Sequence, residues 1–342
     1  TKYMVPFYAP ASFKVKKALG SLVWDKNNKK YIDFTAGIAV TNLGHSNKTL
    51  SSIIADQSKK VIHLSNLYIN EPSINLAKKL CKKTFAEKVF FCNSGAEAVE
   101  ASIKTARKFY SKEKSKNEII SFSGSFHGRT MMAIALSNNK SLTDGFEPLP
   151  KGVKNHKFNE IKDLEKKFSK NTCAVILELV QWQSGIISAE NKFVKTIIKL
   201  CKKYKALLII DEVQSGIGRT GSLFAYEKYK IKPDILCFAK GLANGLPIGG
   251  ILTTHKISSR MNVGSHGTTF GGGPLVCAVG SKVLEIVSSK KLLNGVRKKE
   301  KIFIPTKSAM QSVKGKIKNW ILKFDTKDNK INTLMGWELS LI

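Results

Sequence analysis

Short apolar runs alternate with longer stretches of helical periodicity through most of this sequence, and that alternation restricts the fold more than any other feature. The runs are Val89–Cys92, Ile119–Phe122, Ala174–Leu177, Leu207–Ile210, Ile235–Phe238 and Ile248–Thr253. Each is too short for a buried helix, whereas the segments between them, such as Ala96–Tyr110 and Lys192–Tyr204, repeat apolar residues at helical spacing. Strands that alternate with helices fold as crossover units, so the pattern predicts an α/β chain with a mostly parallel central sheet flanked by helices. Residues before 45 read differently: VWDKNNKKYIDF turns at Asn27-Asn28, which predicts a two-stranded hairpin packed outside the sheet. After residue 285 the text becomes basic and irregular.

Composition narrows the class of protein. With 342 residues, 42% of them hydrophobic, the chain can bury a substantial core. No stretch approaches the roughly 18 uninterrupted apolar residues of a membrane helix. The opening TKYMVPFYAP lacks a charged head followed by an apolar run, so the expectation is a soluble, cytoplasmic protein. The six cysteines are scattered without a CxxC pair and sit among apolar neighbours, as reduced core thiols do, and no metal is called for. A net charge of +32 would ordinarily point to nucleic acid or an anionic membrane. Only five of the 57 basic residues are arginine, however, and lysine runs such as Lys78-Lys79 and Lys202-Lys203 flank apolar residues as solvated helix faces do. The charge is therefore read as a lysine-rich surface, with a polyanion-binding face as the minor alternative.

Several runs end in chemically loaded residues. In an open parallel sheet the ligand site lies beyond the carboxyl ends of the strands, so these residues share one rim. After Val89–Cys92 come Asn93, Ser94, Gly95 and Ala96, whose small side chains let helix-terminal amides approach a phosphate; an ordinary turn capped by Ser94 is the equal alternative. After Leu207–Ile210 come Asp211 and Glu212, with Gln214 just beyond. The GxGxxG match at Gly216–Gly221 is set aside, because it stands too far from the strand and no periodic helix opens at Gly221. After Ile235–Phe238 comes Lys240, without another charge nearby, and desolvation would make its amine a nucleophile. SHGTTFGGGPL adds His266, Thr268 and Thr269 in a glycine-rich turn able to donate to a phosphate.

A phosphate cradle, a carboxylate and an isolated lysine on one rim form the set that pyridoxal 5'-phosphate needs: lysine for the Schiff base, aspartate for the ring nitrogen, donors for the phosphate. Here the chain closely resembles the class III, fold-type I pyridoxal-phosphate aminotransferases, and among them the acetylornithine aminotransferases. The resemblance is carried by YAPASFKVKKALGSLVWDKNNKKYIDFTAGIAVTNLGH, FFCNSGAEAVEASIKTARKF, SFHGRT, LLIIDEVQSGIGRTG, PDILCFAKGL and HGTTFGGGPL, in family order over almost the whole length.

The resemblance implies roles residue by residue. Lys240 matches the lysine that bonds the cofactor and shuttles the proton, Asp211 the partner of the ring nitrogen, and Gln214 a group near the phenolic oxygen. Ser94, Gly95 and Ala96 match the phosphate cup, Phe126 the aromatic stacked on the ring, and Arg129 the arginine that holds a substrate carboxylate. Thr268 goes with the substrate, and Thr269 matches a phosphate ligand donated across a homodimer with shared active sites. The implied reaction is transfer of the terminal amino group of N-acetylornithine to 2-oxoglutarate, with N-succinyl-diaminopimelate as a further donor, in arginine and lysine biosynthesis. The implied layout is a small-domain segment at 1–45, a large cofactor-binding domain at 46–285, and the start of the small domain's C-terminal part at 286–342.

Departures from the family pattern leave a second reading open. Where members read Glu-Pro-(Ile/Val)-Gln-Gly-Glu-Gly-Gly, this chain has Glu178–Gly185 as ELVQWQSG, so Gln183 replaces a glutamate and Trp182 a glycine. Gly273 stands where an asparagine is usual. TLMGWELSLI resembles the entrance to the family's C-terminal domain, and the resemblance would have the chain stop before that domain's carboxylate-binding arginine. A decayed or truncated relative that binds cofactor with little turnover is the alternative to an active aminotransferase.

Overall fold

The structure, a computed structural model, describes residues 2–303 and two further strands at 324–326 and 329–334. Near the N-terminus, strands β1 (Val15–Leu19), β2 (Leu22–Asp25) and β3 (Lys30–Asp33) pair antiparallel, with Val23 opposite Tyr31 across the expected turn. Asn28 adopts φ 61°, the left-handed conformation asparagine tolerates. Asp25 holds the turn: Oδ1 accepts from the amides of Asn27 and Lys29, each at 2.9 Å, and Oδ2 accepts from the Tyr31 hydroxyl at 3.0 Å. The strand Asn329–Leu334 lies parallel to β3, so this small sheet joins segments from both ends of the chain. Residues Met335–Ile342 of TLMGWELSLI lie outside the described residues.

The central sheet contains β4 (Lys88–Cys92), β5 (Glu118–Phe122), β6 (Val153–His156) and β7 (Thr172–Leu177). After a separate ribbon of β8 (Val180–Gln181) and β9 (Ile187–Ser188), the sheet continues with β10 (Leu207–Asp211), β11 (Ile235–Phe238) and β12 (Gly249–Thr253). The spatial order is β4-β12-β11-β10-β7-β5-β6, and every pairing is parallel except the two made by β12. The reversal of β12 has a simple cause: residues 239–248 are too few for a parallel crossover, which takes a dozen or more. β6, with sequence VKNH, has no apolar run to betray it; it lies at the sheet edge.

Side chains alternate between two cores, as period-2 strands buried on both faces require. Val175, Leu177, Leu208 and Ile210 face one cluster together with Phe193, Val194 and Ile197 of the helix Asn191–Tyr204. Ala174, Ile176, Leu207 and Ile209 face the other, against Ala98, Val99, Ala101, Ile103 and Ala106 of the helix Gly95–Phe109. Each fully buried Leu, Ile or Phe contributes about 1.5–3 kcal/mol, so the two layers hold the strand ends firmly in register. All six cysteines are unpaired and five are buried.

The basic stretch after residue 285 is more regular than its text suggests. Lys290–Phe303 forms a helix whose Leu292 packs on the core, and Arg297 Nε donates to the Gly221 carbonyl at 2.8 Å. That contact fixes the Gly216–Gly221 turn as a docking surface; no helix opens at Gly221.

Candidate active site

A cavity of about 430 Å³ opens at the carboxyl rim of the sheet. Six strand ends feed it: Asn93–Ala96 follow β4, Phe126–Arg129 follow β5, Glu178 and Trp182 follow β7 and β8, Asp211 closes β10 with Val213 and Gln214 just beyond, and Lys240 follows β11. Because β12 runs the other way, its N-terminal side, Leu246–Ile248, reaches the same cavity. Ser94, Gly95, Ala96, Phe126, Arg129, Asp211, Gln214 and Lys240 thus meet in one place.

Ser94 both caps a helix and lines the cavity. Its hydroxyl accepts from the Glu97 amide at 3.2 Å, and the Glu97 carboxylate accepts in return from the Ser94 hydroxyl at 2.9 Å and the Asn93 amide at 3.0 Å. The first intrahelical bond runs from Ala98 N–H to the Ser94 carbonyl, so the amides of Gly95 and Ala96 precede it at the positive end of the helix dipole. Gly95 has no alternative here: a Cβ would stand 2.5 Å from Val213 Cγ1. Gly128, at φ 123°, packs against Ala96, where a Cβ would meet the alanine methyl at 2.8 Å, and so brings the Phe126–Arg129 turn to the cradle.

Asp211 and His127 form an enclosed polar pair. Nδ1 of His127 lies 2.7 Å from Asp211 Oδ2, and Val213 N–H donates to Oδ1 at 3.0 Å, with Asp211 and His127 only 4% and 3% exposed. An ionised carboxylate only accepts, so Nδ1 carries the hydrogen and Nε2 is left buried with no hydrogen-bond partner. Glu178 shares this enclosure. Burial, and then the neighbouring Asp211 charge, push its carboxyl well above the usual range, although the Phe126 amide donates to it at 2.8 Å and Lys240 pulls the other way. Glu212, delivered by the same strand, turns away from the rim. Its carboxylate accepts from the amides of Ala225 and Tyr226 at 2.6 and 2.7 Å and from the Ser215 hydroxyl at 3.1 Å, while burial pushes it up to about 7.

Lys240 begins a short turn at φ 45° and is half-buried rather than enclosed. Its ammonium donates to Gln214 Oε1 and stands 5.2 Å from the centroid of Trp182. Trp182 in turn meets Phe126 edge to face at 5.5 Å, and Arg129 Cζ lies 5.7 Å from the Phe126 ring.

Thr268 and Thr269 do not line the cavity of this chain. Thr268 Oγ1 accepts from Asn93 Nδ2 and the Gly271 amide, each at 3.2 Å, whereas Thr269 is exposed. His127, Glu178 and Val213 are among the cavity residues not singled out from the sequence, as is Val40 from the N-terminal segment. His127 lies within SFHGRT, but its pairing with Asp211, 84 residues away, leaves no local signal.

The donor set fits a phosphorylated pyridine aldehyde: amides for an anion, a buried carboxylate for a ring nitrogen, and an amine for the aldehyde. Comparison with known proteins agrees. The aminotransferase class-III family profile matches residues 4–320. The chain is 49% identical over 305 residues to the acetylornithine/succinyldiaminopimelate aminotransferase of Buchnera aphidicola subsp. Schizaphis graminum, covering 89% of this chain and 76% of that one. It is 46% identical over 311 residues to the succinylornithine transaminase of Yersinia pseudotuberculosis, covering 89% and 75%. The N-acetylornithine aminotransferase of Stenotrophomonas maltophilia matches with TM-score 0.74 at 35% identity, over 86% of this chain and 74% of that one. The ornithine aminotransferase of Toxoplasma gondii matches with TM-score 0.82 at 28% identity, over 86% and 71%.

Proposed function

Because the chain belongs to the class-III aminotransferases, which depend on pyridoxal phosphate, we propose that it transfers the terminal amino group of N-acetylornithine to 2-oxoglutarate. The products are N-acetylglutamate 5-semialdehyde and glutamate, and N-succinyl-diaminopimelate serves as a further donor. The convergence of Lys240, Asp211, the Gly95 and Ala96 amides and Arg129 on one cavity is the observation that carries this reading.

Bound pyridoxal phosphate supplies an electron sink for the carbon that bears the transferred amino group. As a free amine Lys240 would take the proton from that carbon, and Gln214 Oε1, which accepts from the lysine nitrogen, would orient it. Asp211 holds a proton on the ring nitrogen, and His127 fixes the carboxylate for that task. The Gly95 and Ala96 amides bind the phosphate at the helix N-terminus. Phe126, which lines the cavity, would offer its ring to the cofactor's. Arg129 grips the substrate carboxylate through two parallel N–H bonds, a geometry lysine cannot reproduce.

The test is direct. Purified chain given pyridoxal phosphate, N-acetylornithine and 2-oxoglutarate is expected to form glutamate and the semialdehyde in equal amounts. Cofactor binding without product would favour the low-turnover reading instead, for which Gln183 speaks, since it lacks the charge of the glutamate usual at that position.

The working form we propose is a cytoplasmic homodimer, with segments 1–45 and 286–342 forming a small domain beside a large domain at 46–285. Leu67, Tyr68, Ile69 and Phe270 expose 93%, 66%, 84% and 64% of their surface on two loops tied together by Asn66 and Asn70, which donate to the carbonyls of Thr268, Gly271 and Gly272. Such an apolar patch beside Thr269 suits a second copy of the chain. Sedimentation is expected to find a dimer, and Thr269→Ala to weaken cofactor binding about tenfold without dissociating it, as loss of one phosphate hydrogen bond of about 1.5 kcal/mol would. A monomer with full activity would refute the shared site.

A further inference from the structure

We infer that Trp182 sets which amino donors this chain accepts, by crowding the carbon next to the transferred nitrogen; the inference rests on the aminotransferase reading above. Lys240, Trp182, Phe126 and Arg129 form one continuous wall of the cavity, with a cation at each end and two rings between. The reacting nitrogen must arrive at Lys240 and the substrate carboxylate at Arg129. Whatever joins them passes the indole.

The indole is held from several sides. It stands edge to face with Phe126, at 66° between planes. Its backbone carbonyl accepts from the amides of Gly185 and Ile186 at 3.1 and 3.3 Å. On either side, Gln181 Nε2 donates to the Ser123 carbonyl at 3.1 Å and the Ser184 hydroxyl to the Gly124 carbonyl at 2.7 Å. These bonds fix the loop that carries Trp182, and swinging the ring aside would break its contacts with Phe126 and Lys240.

A donor whose reacting carbon is an unbranched CH2–NH2 presents only hydrogens to that ring. An α-amino acid carries a carboxylate on the same carbon and must press it toward the indole, whose face is electron-rich and repels an anion. Trp182 therefore favours terminal amines over α-amines, and so the acyl-ornithine half of the reaction over the glutamate half. One group of methylene size in a tight pocket is worth about 10–200-fold in kcat/KM.

Stopped-flow measurement of the two half-reactions separately, with holoenzyme in one syringe and either N-acetylornithine or glutamate in the other, tests this. Trp182→Gly is expected to raise kcat/KM for glutamate relative to N-acetylornithine by about tenfold or more, and Trp182→Phe to fall between. Loosening of the loop alone would lower both values together and leave their ratio unchanged. A second readout needs no turnover: calorimetry with 2-hydroxyglutarate and 5-hydroxypentanoate, in which hydroxyl replaces the amine. The branched acid is expected to gain about tenfold in affinity over the unbranched one in Trp182→Gly. An unchanged ratio in both experiments, with active wild-type chain, overturns the inference alone. A wild-type chain that converts neither donor overturns the aminotransferase reading and this inference with it.

Discussion

Lys240→Ala is expected to lower kcat by at least about 10⁴-fold while moving the melting temperature by no more than about 2 °C. The two halves of this expectation rest on different features. Acid–base catalysis by a placed side chain contributes about 10²–10⁴-fold, and here the same amine must also capture the cofactor aldehyde, so no second group inherits the work. The fold, by contrast, asks little of the ammonium. It is half-buried on a rim turn, bonded to Gln214 and placed over Trp182, and the core beneath is built from β11 residues Ile235–Phe238. Alanine tolerates the φ of 45° no worse than lysine does, since both carry a Cβ. Steady-state kinetics and thermal unfolding by circular dichroism check the two halves separately. A variant that keeps a tenth of the rate would remove Lys240 from the chemistry, and one that unfolds would make it structural.

What could be read from the sequence follows from how each element earns its stability. β7 and β10 were legible because both faces are buried, which forces continuous apolar runs such as LLII before Asp211. β6 was not, since an edge strand whose first three positions are only half-buried can be written VKNH without cost to the core. The direction of β12 was not legible from its own residues either; it depends on the length of the connection from β11. The helix Lys290–Phe303 hid behind its lysines, because only a narrow stripe containing Leu292 touches the body.

The site divides along the same line. Residues that follow strands directly, Asp211 and Lys240 among them, could be placed on one rim by the topology of a parallel sheet. Partners that reach the rim through loops could not. The Phe126 amide that donates to Glu178 comes from the loop after β5, 52 residues from it, and the bond from His127 of the same loop to Asp211 spans 84. Glu212 shows the limit of the rule: it leaves the same strand as Asp211, yet its carboxylate is consumed by the Ala225 and Tyr226 amides and serves the fold.

Asp211→Asn is expected to slow proton abstraction from the donor by about 10³-fold while changing phosphate affinity by less than about tenfold. A carboxylate and a cation about 4 Å apart at an effective dielectric near 20 attract by about 4 kcal/mol, which corresponds to about three powers of ten in rate. Asparagine removes that charge at nearly constant volume. It also disturbs the local hydrogen bonds, because Asp211 accepts from both His127 Nδ1 and the Val213 amide, and an asparagine side chain can turn its single oxygen to only one of them. The other donor then faces an NH2 group, and His127 is expected to shift its hydrogen to Nε2, the atom now buried without a partner. The phosphate cradle is spared, since its amides belong to the turn after β4 and are ordered by Ser94, Asn93 and Glu97 rather than by β10. Comparison of donors protonated and deuterated at the reacting carbon isolates the proton step, and titration with inorganic phosphate reports the cradle. If both fell by the same factor, Asp211 would be holding the cavity together rather than holding a proton on the ring nitrogen.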